Sequence, residues 1–178
     1  MFIELVTKRR SIRRYEDRPV EKEKIDLLVE TVLRAPSSRG LNPWEFIVIT
    51  DPELFERLAQ AKPHGSTFLR KASLAFVICA DPQVSDVWIE DAAIASIYLH
   101  LAAEALGIGS CWIQIRERMH NDKKSSEEYI SETLGIPGNL KVLSIIAMGY
   151  PADKPSPHGK EILQYEKISY NRYGQKST

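Results

Sequence analysis

At 178 residues, with 24 basic and 24 acidic side chains, the chain is long enough for one domain with a sizeable core and has no broad basic surface for nucleic acid. Its composition, 43% hydrophobic and 27% charged, is that of an ordinary globular protein, and no apolar run approaches the ~18 residues of a membrane span. The opening Met1-Phe2-Ile3-Glu4-Leu5 lacks a charged stretch followed by an apolar one, so no secretory signal is expected and a cytoplasmic setting is.

Phe2 to Lys8 reads as a short helix. Arg9-Arg10-Ser11-Ile12-Arg13-Arg14 follows, four arginines and a hydroxyl within six residues. Arginine offers phosphate a planar fork of donors, and a serine hydroxyl adds one more. On a neutral chain such a cluster points to one localised anion; the competing reading is a solvated helix end. Glu21 to Leu33 reads as a helix with Ile25, Leu28, Val29 and Val32 on one face. Ala35 to Pro43 has the breaker chemistry of a loop. Trp44 to Thr50 is a strand, and Asp51-Pro52 caps a helix over Glu53 to Ala61. Ser73 to Ala80 is a second strand, apolar almost throughout and so buried on both faces.

Asp86 to Leu106 is the longest helix, and from Ala92 onward it is apolar on nearly every face. Such a helix must be covered on every side. A subunit interface is therefore expected along it, the alternative being the central helix of a single core. Gly107 and Gly109 end this helix and lead into a strand over Ser110 to Ile115, the reverse of the strand–loop–helix order of a dinucleotide fingerprint. Ser125 to Leu134 is a helix closed by Gly135, and Leu140 to Met148 is the fourth strand. Cys79 and Cys111 sit in apolar strand-like runs and read as buried free thiols. With the four histidines scattered and no paired Cys/His spacing, no metal is expected. From Pro151 the chain is Pro-, Gly- and Lys-rich and carries Tyr165, Tyr170 and Tyr173; it is expected to drape across the protein or a partner. Helices alternating with buried strands give an α+β or α/β sandwich.

Four pieces in order resemble the FMN-dependent nitroreductase family: Arg9-Arg10-Ser11-x-Arg13; Ala35-Pro36-Ser37-Ser38-Arg39 with Asn42-Pro43-Trp44; Asp91-Ala92-Ala93-Ile94-Ala95; and Gly107-Ile108-Gly109-Ser110-Cys111-Trp112-Ile113. The final strand's Met148-Gly149-Tyr150-Pro151 matches as well, so the resemblance spans roughly residues 4 to 165. It implies one α+β domain over residues 1–178, a three-layer α/β/α sandwich around a mostly antiparallel sheet. The core would cover about 4–150, and the tail 151–178 would wrap the partner of a segment-exchanged homodimer. It implies FMN at the interface, NAD(P)H as transient donor and a nitroaromatic or quinone as oxidant in a ping-pong cycle; the alternative is an FMN-binding carrier or sensor with little turnover.

Carried over residue by residue, the resemblance puts Arg9, Ser11 and Arg13 on the FMN phosphate and its polar edge, with Arg10 in the same turn. Pro36, Ser37, Ser38, Arg39, Leu41 and Asn42 would come from the other subunit, Asn42 bonding the ring edge. Trp112, Ile113 and Gln114 would face the ring, and Trp112 reads equally well as a core aromatic. Two departures stand out. Where relatives carry a further phosphate-binding arginine after the last strand, this chain offers only His158 and Lys160, and where they have glycine it has Gln114. No side chain is assigned as a catalytic acid or base.

Overall fold

Four antiparallel strands form the sheet at the centre of a computed structural model that describes residues 2–176. They are β1 (Trp44–Ile49), β2 (Leu74–Ala80), β3 (Gly109–Gln114) and β4 (Lys141–Gly149), in the spatial order β1-β2-β4-β3. The helices are α1 (Phe2–Lys8), α2 (Lys22–Leu33), α3 (Pro52–Leu58), α4 (Trp88–Ala105) and α5 (Ser126–Leu134). Among the described residues no helix is long and apolar enough to cross a membrane.

Side-chain alternation along β2 sorts the helices into two layers. Leu74, Phe76 and Ile78 pack with Leu28 and Val32 of α2 and with Ala92, Ala95 and Leu99 of α4. Ala75, Val77 and Cys79 pack on the other face with Phe55 and Leu58 of α3 and Ile130 of α5. This is the three-layer α+β sandwich that the motifs implied. A bulge interrupts β4: Ile78 pairs with Ser144 but Cys79 with Val142, so Leu143 is an extra residue. Beyond it the parity resets, with Ile145 on the α3/α5 side and Ile146 on the α2/α4 side.

Local chemistry sets the helix ends. The Asp51 side chain accepts from the Glu53 N–H ahead of Pro52, and Ser125 with Glu128 forms a capping box at α5, which Gly135 closes at φ 67. Lys24 Nζ donates to the Leu106 carbonyl at the end of α4 (2.9 Å) and to the Tyr150 hydroxyl (2.8 Å). The helix expected over Glu53 to Ala61 stops at Leu58, where the N–H groups of Gln60 and Ala61 turn to carbonyls three residues back. A 3-10 turn over Thr67–Lys71, which no sequence period announces, buries Leu69.

Its own chain does not cover α4 on every side. Ile94, Ile97 and Tyr98 form a stripe that is 39%, 44% and 37% exposed. α1 lies against α4 yet buries none of its residues, leaving Phe2, Ile3 and Val6 open. The tail is likewise apolar and open: Ile162, Leu163, Tyr165, Ile168 and Tyr170 are each at least half exposed.

Candidate functional site

The arginine turn is an irregular segment stitched to the sheet. Ser11 bridges Ser110 at the start of β3, and the Ile12 N–H donates to the Ser110 carbonyl at 3.0 Å. The Glu16 N–H donates to the Tyr150 carbonyl, and the Ala152 N–H returns a bond to Arg14. Two glycines make this approach possible. Gly109 and Gly149 face each other across β3 and β4. A Cβ on Gly109 would lie 2.8 Å from Ile12, and one on Gly149 would lie 3.0 Å from the Tyr15 ring. Ile12 and Tyr15 are therefore seated while Ser11, Arg13 and Arg14 stay exposed. The Tyr15 hydroxyl locks the turn by donating to the carbonyls of Ile12 (2.7 Å) and Ala147 (3.2 Å).

Charge around this turn is left uncompensated. Arg14, Arg18, Arg34, Arg39, Arg70 and Arg116 each have a carboxylate oxygen within 4 Å. Among the described residues Arg9, Arg10 and Arg13 have none; Arg10 donates only to the Ser156 carbonyl of the tail, and Arg13 lies over the Phe68 ring. Burial pushes the Cys111 thiol up, while Arg13, Ser11, Arg9 and Lys62 pull it back. Underneath, buried His100 of α4 bonds Ser110 Oγ at 2.7 Å and is held neutral, down to about 4, by burial and then by Arg9. A pocket edge rich in unneutralised donors suits a dianionic phosphate, so the residues present fit FMN.

The second predicted cluster lies elsewhere. Ser37 Oγ and the Asn42 side chain bond at 2.6 Å, and the Asn42 N–H returns to Ser37 Oγ at 2.9 Å. Arg39 and Asn42 hold left-handed φ values of 54 and 48, unusual for non-glycine residues. Buried Asp91 of α4 fixes the loop by accepting from the Ser38 N–H at 2.7 Å and from Ser85 at 2.9 Å, and Arg39 pairs with Asp86. Asp91 and His100 are nine residues apart, so about 14 Å of helix separates the two anchors. Within one chain the arginine turn and the Pro36–Asn42 loop are thus held at different ends of α4.

On β3 the candidate residues divide. The Ser110 carbonyl points off the sheet to Ile12, so by alternation the backbone N–H and C=O groups of Trp112 and Gln114 face the same free edge. Ile113 faces the other way, its side chain in the α3/α5 core, and offers the site no side chain. The Gln114 amide is spent internally: it accepts from the Trp112 indole N–H (2.9 Å) and donates to the Arg116 carbonyl (2.9 Å). His158 and Lys160 lie on the exposed tail, whose first turn is tied to the arginine turn through Ser156–Arg10 and Asp153–Arg14. The sequence reading gave no role to Asp91 or His100. Only Asp91 carried a signal, as the acidic start of Asp91-Ala92-Ala93-Ile94-Ala95.

Comparison with known proteins points to one family. The sequence profile of the Nitroreductase family matches residues 6–64 and 61–150. The chain superimposes on an FMN-dependent nitroreductase from Clostridium difficile R20291 with a TM-score of 0.94 and 46% identity, covering 96% of this chain and 99% of that one. A protein of Archaeoglobus fulgidus named as a candidate NADH dehydrogenase/NAD(P)H nitroreductase is 38% identical over 85% of this chain and 86% of its own. A Bacillus subtilis FMN reductase (NADPH) is 29% identical over 95% of this chain and 74% of its own. The fold and the sequence together place the chain in the nitroreductase family.

Proposed function

We propose that the protein is an FMN-dependent oxidoreductase of the nitroreductase type, acting in the cytoplasm on a small organic oxidant such as a nitroaromatic or a quinone, with NAD(P)H as donor. The observation that carries this reading is the set of arginines without carboxylate partners, Arg9, Arg10 and Arg13, held around Ser11 on the sheet edge. When bound, FMN supplies hydride acceptance from the donor and delivery to the oxidant. Arg9, Arg10 and Ser11 would hold its phosphate. Arg13 would offset negative charge on the ring. The Trp112 and Gln114 backbone groups on the open edge of β3 would lie along the ring, and the Gln114 side chain acts as a clip on Trp112. His158 or Lys160 completes the phosphate clamp from the tail.

The whole chain works as one domain of a homodimer. Exposed Ile94, Ile97 and Tyr98 lie on α4 between its two anchors. A second copy packed there about a two-fold axis sets the start of one α4 beside the end of the other. That brings the Ser37–Asn42 loop of one chain to the arginine turn of its partner and gives the tail an apolar surface to cross. The test is the visible spectrum of purified protein. Flavin bands that bleach with NADH or NADPH and return with a quinone support the reading. Bands that never bleach would make the protein a flavin carrier, and protein that takes up no FMN would end the flavin assignment.

A further inference from the structure

The Pro36–Asn42 loop holds a shape that its own residues do not favour. Arg39, Gly40 and Asn42 all lie at positive φ, three of four consecutive residues. Its internal bonds are few. The Gly40 N–H donates to the Ser37 carbonyl at 3.1 Å and the Leu41 N–H to the Ser38 carbonyl at 3.0 Å. The Ser37 hydroxyl donates to Asn42 Oδ1 at 2.6 Å and accepts from the Asn42 N–H at 2.9 Å. That uses the acceptor of the Asn42 amide and leaves its Nδ2 on an exposed residue, without a partner among the described residues.

One carboxylate fastens this loop to the rest of the chain. Asp91 is 2% exposed. One of its oxygens accepts from the Ser38 N–H at 2.7 Å, and the other from the Ser85 hydroxyl at 2.9 Å. Ser85 is buried as well and accepts in turn from the Val87 N–H at 3.3 Å. Among the described residues no Lys or Arg nitrogen lies within 4 Å of Asp91; Arg39, next along the loop, pairs with Asp86 at 2.5 Å instead. A buried carboxylate held by hydrogen bonds alone is costly, and its place in the first turn of α4 offsets part of that cost. α4 does not need the group for its own ladder, since the Asp91 N–H makes the ordinary helical bond to the Val87 carbonyl at 3.0 Å. What the carboxylate adds goes to the loop and to Ser85.

We propose that Asp91 is a positioning residue for the flavin bound by the partner chain. By holding the Ser38 backbone it keeps the loop in the one shape that leaves the Asn42 amide nitrogen open. A second copy packed on the Ile94, Ile97 and Tyr98 stripe carries that loop to the other chain's arginine turn. The inference rests on the shared-site reading above and adds to it a buried residue that acts only through the loop.

The test uses the full-length protein. Asp91→Ala should weaken FMN binding at least about tenfold in fluorescence titration, with circular dichroism unchanged. Asp91→Asn, whose amide oxygen can still accept from the Ser38 N–H, should recover most of that loss. The deciding measurement joins an Asp91→Ala chain to an Arg9→Ala chain, each with its own affinity tag, and isolates the mixed dimer. If Asp91 acts on the partner's site, one site of that dimer carries both defects and the other carries neither. One FMN per two chains then binds with the affinity of the unmodified protein. If Asp91 acts on its own chain's site, each site carries one defect and no FMN binds that tightly. This second result overturns the inference, and so does an unchanged affinity in the Asp91→Ala dimer. Should Asp91→Ala fail to fold, Ser85→Ala, which frees one carboxylate oxygen and keeps the charge, replaces it in the mixed dimer and is read the same way. A flavin-bearing dimer whose mixed form has no intact site ends this inference alone. Unmodified protein that is monomeric, or that takes up no FMN, ends the reading of the preceding section and this inference with it.

Discussion

The arginine turn and the C-terminal tail are both irregular segments outside the sheet, and they are held in opposite ways. The turn carries exposed charge on a backbone fastened at Ser110, Tyr150 and Ala152, with Ile12 and Tyr15 seated over two glycines. The tail carries exposed aromatic and aliphatic side chains, and beyond Lys160 its hydrogen bonds run within itself. One segment is finished by its own chain and waits for an anion. The other has apolar surface its own chain does not cover, and in this account a second copy covers it.

The most disruptive way to break the comparison is to remove the unfinished segment. Ending the chain after Ala152 should convert the dimer to monomer and abolish FMN retention after gel filtration, while the sheet's circular dichroism persists. A shortened protein that stays dimeric would place the interface on α1 and α4 alone. Next comes the finished segment. Arg9→Ala should weaken FMN binding by about 10- to 100-fold, the value of a charge-assisted hydrogen bond, as read by fluorescence titration. An unchanged affinity removes Arg9 from the phosphate.

The glycine seat offers a sharper cut. Gly109→Ala puts a methyl into Ile12 and should cost about 1–3 kcal/mol in chemical denaturation. Because the turn must shift to make room, FMN should weaken as well. Loss of stability with full FMN affinity would show that the seat and the site are independent. The effect confined to acid pH concerns His100. Its folded value of about 4 lies below the ordinary 6.5, so the unfolded chain binds the extra proton between those limits. The stabilising contribution is therefore whole above pH 6.5 and is lost as pH falls toward 4, at most about 3 kcal/mol. His100→Gln should flatten that decline in denaturation midpoints measured at pH 7.5 and 4.5, and an equally steep decline would assign it to other groups.

What could be read in advance follows the range of each interaction. The strands, the capped helices and the arginine cluster announce themselves within a few residues, through apolar runs, Asp51-Pro52, Ser125 with Gly135, and plain composition. The Ser37–Asn42 loop was legible as a loop, but its tether to Asp91 and the left-handed φ at Arg39 and Asn42 were not, because Asp91 lies on another element. On α4 the apolar residues fill every face, so no period marks Ile94, Ile97 and Tyr98 as the stripe its own chain leaves open. Ile113 and Gln114 matched a motif without a sign that one turns into the core and the other spends its amide on Trp112 and Arg116.

The central claim is that the cofactor site is shared between two copies. The direct measurement is sedimentation of the FMN-saturated protein, followed at once in the protein and flavin absorbance bands. The account predicts a species of two 20.2 kDa chains carrying two FMN, and loss of flavin from any fraction that dissociates. A 20.2 kDa monomer that holds FMN as tightly as the dimer would contradict it.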